Sequence, residues 1–181
     1  MRLQREFFER NTIEVAKELL GKTLVYQGLS GIICETEAYR GEDDEACHAA
    51  RGMTPRNKPM FGLGGFSYIY FIYGMYHCMN ITTEKEGYPG AVLIRGIQPL
   101  EGIEEMTKNR NGKKKGIADG PGKLCQAFGL TREQNNLDMV ASPFLYVEDR
   151  GLKPKEIESS SRIGISAAHH LEWRFFAHDF S

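Results

Sequence analysis

Alternating apolar and polar residues dominate the first half of the chain and predict mostly β-structure. A helix is predicted first, at about residues 12–20, where Asn11 is a capping residue and Gly21 ends the pattern. Two strands with a turn at GLSG follow and predict a hairpin, and three more strands come before residue 98. The five predicted strands are TLVYQ, IICETEAY, the tyrosine-rich run that breaks at Gly74, YHCMNITT and GAVLIRGI.

The second half of the chain predicts helices mixed with short strands. Helical patterns occur in PLEGIEEMTKNR and KLCQAFGL, and a capping pattern joins Thr131 to Gln134. Short strands are predicted at FLYVE, RIGIS and EWRFFA. Strands interleaved with helices that do not alternate regularly predict an α+β fold with a mostly antiparallel sheet. No composition shift marks a boundary, so we expect a single domain over residues 1–181.

Composition fits a globular protein of ordinary domain size. The 181 residues are 41% hydrophobic and 26% charged, which is enough apolar material for a core. We find no export leader and no long apolar run, so we expect no membrane association and a cytoplasmic location. The four cysteines are widely spaced and are expected to be reduced thiols.

Positive charge is concentrated in a few loops although the net charge is only −1. That net charge excludes strong overall attraction to nucleic acid but leaves room for a local basic face. The segments TPRNKPMF, with Arg56, and KNRNGKKKG are basic, and GPGK, ending at Lys123, opens a predicted helix. Such loops are usually solvated surface, but they are also suited to backbone phosphates.

The strand IICETEAY carries two acids that alternation places on one face. Glu35 and Glu37 are predicted to share that face with Ile33 and Tyr39. An exposed strand face with acids in water is the simpler interpretation of this stretch alone. The alternative is a general base in a half-buried cleft, with its pKa set by its neighbours.

The histidines and cysteines raise the question of a metal site. His48 follows four acids, which predicts that its charged form is favoured. Cys47-His48 and His77-Cys78 supply two residues of each type, but adjacent strand residues point to opposite faces. Their spacing also matches no common zinc pattern, so a zinc-binding module remains a minor alternative.

The run from residue 66 to residue 80 concentrates half of the eight tyrosines of the chain. Alternation places Tyr68 and Tyr70 on one face, and Tyr73 falls on the other face, where the chain must reverse. A tyrosine at a hairpin tip has little to pack against, whereas aromatic wedges and stacking surfaces are common in nucleic-acid-binding proteins. Asn80 on the returning strand adds a directional amide. Arg95, in the apolar run AVLIRGI, needs a partner, and Glu37 is the predicted one.

Taken together, these motifs resemble the alkyladenine (3-methyladenine) DNA glycosylases. The matching segments are, in order, ETEAY, EDDEACH, TPRN, YIYFIYGMYHCMNI, AVLIRG, QPLEG and GPGKLCQA. They extend over nearly the whole chain, and the tyrosine-rich run is long and specific.

The resemblance implies both a fold and an activity. It implies a compact single-domain α+β fold with a curved antiparallel sheet and a protruding hairpin. It also implies removal of damaged purines from double-stranded DNA by hydrolysis of the N-glycosidic bond, which leaves an abasic site. Substrates of this kind are 3-methyladenine, 7-methylguanine, hypoxanthine and ethenoadenine. No cofactor or metal is implied, and a monomer is expected.

The resemblance also assigns roles to individual residues. Glu37 corresponds to the general base, Arg95 to an arginine beside the attacking water, and the main-chain carbonyl of Ile163 to a second holder of that water. A further set forms the base pocket and the DNA contacts: Tyr39, His48 and Tyr70 as aromatic walls, Asn80 as the residue that opposes normal guanine, Tyr73 as the intercalating wedge, and Leu93 on the DNA side. Arg56 and Lys123, in the basic loops, are expected to contact the DNA backbone because of their charge.

Two further points follow from the predicted pocket strands. A glycosylase with lyase activity needs a lysine that forms a Schiff base, and none lies on these strands, so a monofunctional enzyme is predicted. A non-catalytic nucleic-acid-binding domain on the same scaffold remains the alternative from another functional class. Such a domain would have no use for the carboxylate of Glu37.

Overall fold

The fold is organised around one long strand in the first half of the chain. A computed structural model describes all 181 residues and contains one compact domain with a curved antiparallel sheet. Its strands are β1 (Thr23–Tyr26), β2 (Leu29–Arg40), β3 (Ser67–Ile72), β4 (Tyr76–Thr82), β5 (Gly90–Glu101), β6 (Leu145–Glu148), β7 (Glu158–Ser160) and β8 (Arg174–Phe176). The predicted α+β class and antiparallel sheet are confirmed.

Strand β2 joins the different parts of the sheet. The main path runs β3-β4-β5-β2-β1-β6, and every pair in it is antiparallel. The second half of β2 also pairs with β8, which in turn pairs with β7. The second half of β2 therefore has strands on both sides, β5 on one and β8 on the other.

Helices cover one face of the sheet. They are α1 (Arg5–Phe8), α2 (Thr12–Glu18), α3 (Ile103–Asn109) and α4 (Pro121–Phe128). Asn11 caps α2 as predicted, since its side-chain oxygen accepts from the Ile13 N–H at 2.9 Å. The main core of 28 buried residues lies on this side. A smaller cluster that includes Met60 and Tyr68, with Tyr70 packed on it, supports the functional site.

Irregular pairing between β2 and β5 changes which residues share a face. The register slips at Ser30/Gly31, where Leu100 is an extra residue on β5, and again at Ile33/Glu35 and Glu35/Thr36, where Cys34 on β2 and Arg95 on β5 are the extra residues. The prediction that Ile33 shares the face of the two acids is therefore wrong, because Ile33 packs in the main core. Bulges of this kind redirect side chains and are frequent next to active sites.

The predicted turn at GLSG is misplaced. The chain reverses at Gln27 and Gly28, which have φ values of 47° and 84°, and β2 already begins at Leu29. Gly31 serves a different purpose within the strand. A Cβ atom there would lie 2.7 Å from the carbonyl oxygen of Gln98 on β5, so only glycine allows this close approach.

Two predictions for the second half of the chain are also wrong. The helix predicted from Pro99 begins only at Ile103, because β5 continues to Glu101. The segment RIGIS, at 162–166, is not a strand, and the neighbouring strand is β7. Arg162, the first residue of this segment, pairs with the buried Asp44 outside the sheet. None of the helices has the length and apolar character needed to span a bilayer.

Candidate active site

The predicted site residues come together around one cavity. It has a volume of about 510 Å³, which lies within the range of small-molecule pockets. Eight of the eleven predicted residues line it: Tyr39, His48, Tyr70, Tyr73, Asn80, Leu93, Arg95 and Ile163. The remaining three, Glu37, Arg56 and Lys123, lie outside its lining.

Glu37 lies directly behind the wall of this cavity, and its side chain is fully buried. One carboxylate oxygen accepts from the Ile163 N–H at 2.7 Å, and the other accepts from the Tyr39 hydroxyl at 2.7 Å. Burial raises the pKa of Glu37, although Arg95 and these two hydrogen bonds oppose that rise. The prediction of exposed acids in water is therefore wrong for this residue.

Arg95 connects the two acids of β2. Its Nε donates to Glu35 Oε1 at 2.9 Å and lies 3.5 Å from Glu37 Oε1. The predicted partner, Glu37, is thus the more distant of two, and Glu35 makes the hydrogen bond. Arg174 on β8 also binds Glu35, at 2.7 Å. Glu35 is therefore paired with two arginines, whereas the Arg95 side chain lies farther from Glu37.

Ile163 contacts Glu37 through a different atom from the one predicted. Its main-chain N–H donates to the carboxylate, and its side chain is 50% exposed at the rim of the cavity. The predicted contact of its carbonyl with a water stays a prediction. The N–H contact stabilises the ionised form of Glu37.

Aromatic rings form one end of the cavity. The ring centroids of His48 and Tyr70 are 4.6 Å apart, and His48 Nδ1 lies 2.9 Å from the Tyr68 hydroxyl. Tyr68, which had no predicted role, is 2% exposed, and burial raises its pKa to about 12. Its hydroxyl is therefore a neutral partner that fixes the orientation of the imidazole.

The prediction that acids favour the charged form of His48 is wrong. Burial lowers the pKa of His48, and the positive charge of Arg56 lowers it further. One acid of that loop, Asp44, is instead paired with Arg162. Arg56 also stacks on the ring of Tyr70, with 5.3 Å between the guanidinium carbon and the ring centroid. The pocket therefore contains a neutral imidazole.

Replacing Arg56 with Gln is expected to raise the pKa of His48, because one nearby positive charge is lost. His77 provides an internal control, since burial and then the charge of Arg132, rather than that of Arg56, lower its pKa. NMR titration of both imidazoles in Arg56→Gln and in Arg132→Gln should show a rise at His48 only in the first variant and at His77 only in the second. A His48 titration that is the same in wild type and Arg56→Gln would exclude this electrostatic link.

Asn80 and Leu93 form the floor of the cavity on neighbouring strands. They are paired residues of β4 and β5 and are 3% and 4% exposed. The Asn80 amide donates to the Tyr68 carbonyl at 3.0 Å, which fixes its orientation. Leu93 lies deep in the cavity rather than on an outer surface, so any DNA contact it makes is with a base that has entered the cavity.

Tyr73 occupies the tip of the β3–β4 hairpin at the cavity edge. Its side chain is 79% exposed and its φ is 52°, in the left-handed region that bulky residues rarely adopt. Gly74 follows with a φ of 65°, and the Met75 N–H closes the turn on Ile72 at 3.2 Å. A strained, exposed aromatic residue at this place is consistent with a role beyond packing.

The predicted phosphate contacts lie on the outer surface. Arg56 is exposed beside Tyr70, and Lys123, in the first turn of α4, pairs with Asp119 at 2.8 Å. Exposed pairs of this kind contribute little to stability, so Lys123 remains available to an anion. Contacts of both residues with DNA stay predictions.

Sequence reasoning missed the pair Asp44 and Arg162. Both side chains are fully buried, and Arg162 makes two hydrogen bonds to the carboxylate, at 2.6 and 2.7 Å. No sequence signal marked them, because Asp44 lies in a run of acids and Arg162 in a predicted strand. The only link to the predicted site in the sequence is that Arg162 immediately precedes Ile163.

The zinc alternative has no geometric support. Nowhere in the chain do three or more His, Cys, Asp or Glu side chains lie close enough together to hold a metal ion. Cys47 and Cys78 are instead buried free thiols in the cavity wall, and burial raises the pKa of each to about 11.

Comparison with known proteins identifies the family. The family model described as "Methylpurine-DNA glycosylase (MPG)" matches residues 6–181. A protein of Methanocella arvoryzae is 52% identical, with 96% of this chain and 91% of that protein covered. A Wolbachia pipientis wMel protein is 49% identical (96% and 89% covered), and a Clostridium perfringens protein is 46% identical (99% and 97% covered).

All three relatives carry the name "Putative 3-methyladenine DNA glycosylase". The family match and the identities extend over nearly the whole chain, including the strands that form the cavity. The chain therefore belongs to the methylpurine-DNA glycosylase family and is, by that membership, a DNA glycosylase, a hydrolase of N-glycosyl bonds.

Proposed function

We propose that this protein is a monofunctional glycosylase that flips a damaged purine out of duplex DNA and hydrolyses its N-glycosidic bond with a water activated by Glu37. The observation that carries the proposal is the position of Glu37, a buried carboxylate whose direct neighbours Tyr39, Arg95 and Ile163 form the wall of an aromatic cavity. A cavity that only binds nucleic acid has no need for a carboxylate kept in so costly an environment.

Extrusion of the base is the first step. Removing a base from the stack costs a few kcal/mol, least for a damaged base that pairs weakly. Tyr73 is exposed at the cavity edge, where its ring can enter the duplex and fill the gap that the base leaves. The extruded nucleotide then enters the cavity from the side of the hairpin tip.

The aromatic end of the cavity suits an alkylated purine. A purine with a positive charge is attracted to the faces of tyrosine rings by about 0.5–2 kcal/mol. His48, with a lowered pKa, stays neutral and does not repel such a base. Asn80 holds a fixed amide on the floor, where it opposes the exocyclic amine of normal guanine. Neutral lesions such as hypoxanthine lack this charge attraction, so their binding depends more on stacking.

Hydrolysis needs one base and one water. The water oxygen attacks C1′, its proton passes to Glu37, and the electron pair of the C1′–N bond leaves with the purine. An alkylated cationic purine leaves as a neutral molecule, so no acid is required. A neutral lesion such as hypoxanthine leaves as an anion, which takes up a proton from solvent. Each carboxylate oxygen accepts up to two hydrogen bonds, so Glu37 retains capacity for a water beside Arg95 and Ile163.

The raised pKa of Glu37 fits this role. Burial raises the pKa of Glu37 and makes its carboxylate a stronger base, while Arg95, the Ile163 N–H and the Tyr39 hydroxyl oppose that rise and favour the ionised form that acts as the base. A net charge of −1 suits a protein that binds DNA through its basic loops rather than through its whole surface, and we expect it to act as a monomer. We expect this activity in the cytoplasm, on double-stranded DNA.

A panel of duplexes, each with one lesion, tests the proposal. The wild-type protein is expected to release free base from duplexes with methylated or deaminated purines and from none with normal purines. Strands should break only after alkali treatment, and borohydride should trap no covalent protein–DNA adduct. Borohydride trapping would show a lyase, and binding to the lesions without release of any base would show a non-catalytic module.

A further inference from the structure

The buried pair of Asp44 and Arg162 lies between two walls of the cavity and makes more contacts than a simple ion pair. Arg162 binds the carboxylate of Asp44 through both terminal nitrogens and donates to the Ala38 carbonyl on β2 at 2.9 Å. Its guanidinium lies between two aromatic rings, 4.7 Å from the Tyr39 centroid and 5.2 Å from the Trp173 centroid.

Asp44 organises the acidic loop from the other side of the pair. Its carboxylate accepts from the main-chain N–H groups of Arg40 and Ala46, both at 3.2 Å, in addition to Arg162. Residues 45–48 of the same loop line the cavity and include His48. The position of this loop is therefore tied to the position of Arg162.

The residue that follows Arg162 is the one that contacts Glu37. Residues 163–166 line the cavity but belong to no strand or helix, so no sheet pairing fixes them. Burying two charges is expensive, and apolar residues of similar size often stabilise a fold equally well. A buried ion pair that immediately precedes an irregular catalytic segment therefore calls for a role other than stability.

We propose that Asp44 and Arg162 form a positioning clamp that holds the Ile163 N–H against the Glu37 carboxylate and keeps both irregular walls of the cavity in register. The inference rests on the proposed function, in which Glu37 is the general base. Asp44 and Arg162 are positioning residues rather than catalytic ones, because neither lines the cavity and both act through Ile163 and through the acidic loop.

The clamp predicts an effect on the pH dependence of catalysis. The hydrogen bond from the Ile163 N–H favours the ionised form of Glu37. Loosening the clamp weakens this bond, so the pKa of Glu37 rises further. Ionised Glu37 is then present only at higher pH, and the acid limb of the rate profile moves upward. The other groups that face the carboxylate are Tyr39 and Glu35 on β2, Arg95 on β5, Arg174 on β8 through Glu35, and Arg162 itself. Because Arg162 also acts on Glu37 through its charge and stacks on Tyr39, the variant that keeps this charge, Arg162→Lys, isolates the effect of positioning.

Two variants of the full-length protein separate positioning from stability. Arg162→Lys keeps the charge but loses the two-pronged hydrogen bonding and the planar stacking. The double variant Asp44→Leu/Arg162→Met removes both charges and keeps an apolar core of similar size. The control is Arg5→Lys, since Arg5 also binds an aspartate (Asp138, 2.6 Å), a carbonyl (Gly64, 2.6 Å) and an aromatic ring (Phe66), away from the cavity.

The experiment measures the single-turnover rate of release of a permanently cationic base from pH 5 to 9. The melting temperature of each variant is measured as well. Both clamp variants are expected to lose about 100-fold in maximal rate, because a small misplacement of reacting groups costs about that much. Their acid limb should lie at higher pH than that of the wild type. Arg5→Lys should keep the wild-type rate and profile.

A folded clamp variant with the wild-type rate and pH profile would overturn the proposal. Melting of both clamp variants below the assay temperature would also count against it, because the pair would then serve the fold. A wild-type protein without base release, or a Glu37→Gln variant with full release, would instead contradict the proposed function, and the two failures are thereby distinguished.

Discussion

Replacement of Glu37 with Gln is expected to slow base release by about 10³-fold, the typical contribution of a positioned general base. Gln preserves the shape of the side chain and its hydrogen bonds. Its amide oxygen accepts from the Ile163 N–H, and its NH₂ group donates to the Tyr39 hydroxyl. It cannot take a proton from water. Single-turnover kinetics on a duplex with one methylated purine measures the loss.

The matched control is Glu35→Gln, two residues along the same strand. Glu35 also binds Arg95, but it is partly exposed and is bound by Arg174 as well. Its replacement is expected to slow release far less than Glu37→Gln. Equal losses in the two variants would assign the effect to Arg95 rather than to a base, and full release by Glu37→Gln would refute the mechanism.

The same substitution should increase stability at neutral pH. Because burial raises the pKa of Glu37 in the folded state, the stability linked to this group is fully present below its unfolded value, near 4.5, and is lost as the pH rises through the folded value. Gln carries no such cost. The melting temperature of Glu37→Gln should therefore exceed that of wild type near pH 7, and the difference should shrink towards pH 4.

Replacement of Tyr73 with Gly is expected to reduce release from intact duplex by about 10- to 100-fold, since stacking of an aromatic ring contributes about 1–3 kcal/mol. Gly adopts the left-handed turn that Tyr73 occupies, at a φ of 52°, without strain, so the melting temperature should not fall. The hairpin stays intact while the wedge is lost. Kinetics and binding on one lesion in an intact duplex measure the effect.

Two comparisons make the wedge experiment specific. Tyr73→Phe keeps the ring and should behave like wild type, because the exposed hydroxyl has no hydrogen-bond partner within the protein. A lesion placed in DNA that is already distorted should be released by Tyr73→Gly at close to the wild-type rate. An equal effect of Tyr73→Gly on intact and distorted DNA would contradict the wedge role.

Local patterns predicted the parts of the site that lie on regular strands. Tyr68 and Tyr70 face the cavity because strict alternation holds along β3, and Ile69 between them packs in the main core. Asn80 and Arg95 also line the cavity. Alternation failed at β2, where the extra residue at Cys34 moved Ile33 to the core face. Single-residue bulges leave no trace in a hydrophobic pattern.

Local sequence patterns do not predict contacts between residues that are far apart in the chain. Arg162 lies 118 residues from Asp44, and nothing local distinguishes it from a strand residue. The prediction that His48 is charged is wrong for the same reason. Its sequence neighbours are acids, but its neighbour in space is Arg56. Electrostatic environments depend on tertiary packing, which sequence proximity does not describe.

The central claim is that Glu37 is the base that activates water, and the pH profile of single-turnover release tests it most directly. The substrate should be a duplex with a permanently cationic methylated purine, so that the lesion itself does not titrate. Wild type should show an acid limb with a midpoint above 4.5, because the pKa of Glu37 is raised. The residual activity of Glu37→Gln should lack that limb. An acid limb that persists unchanged in Glu37→Gln would contradict the claim.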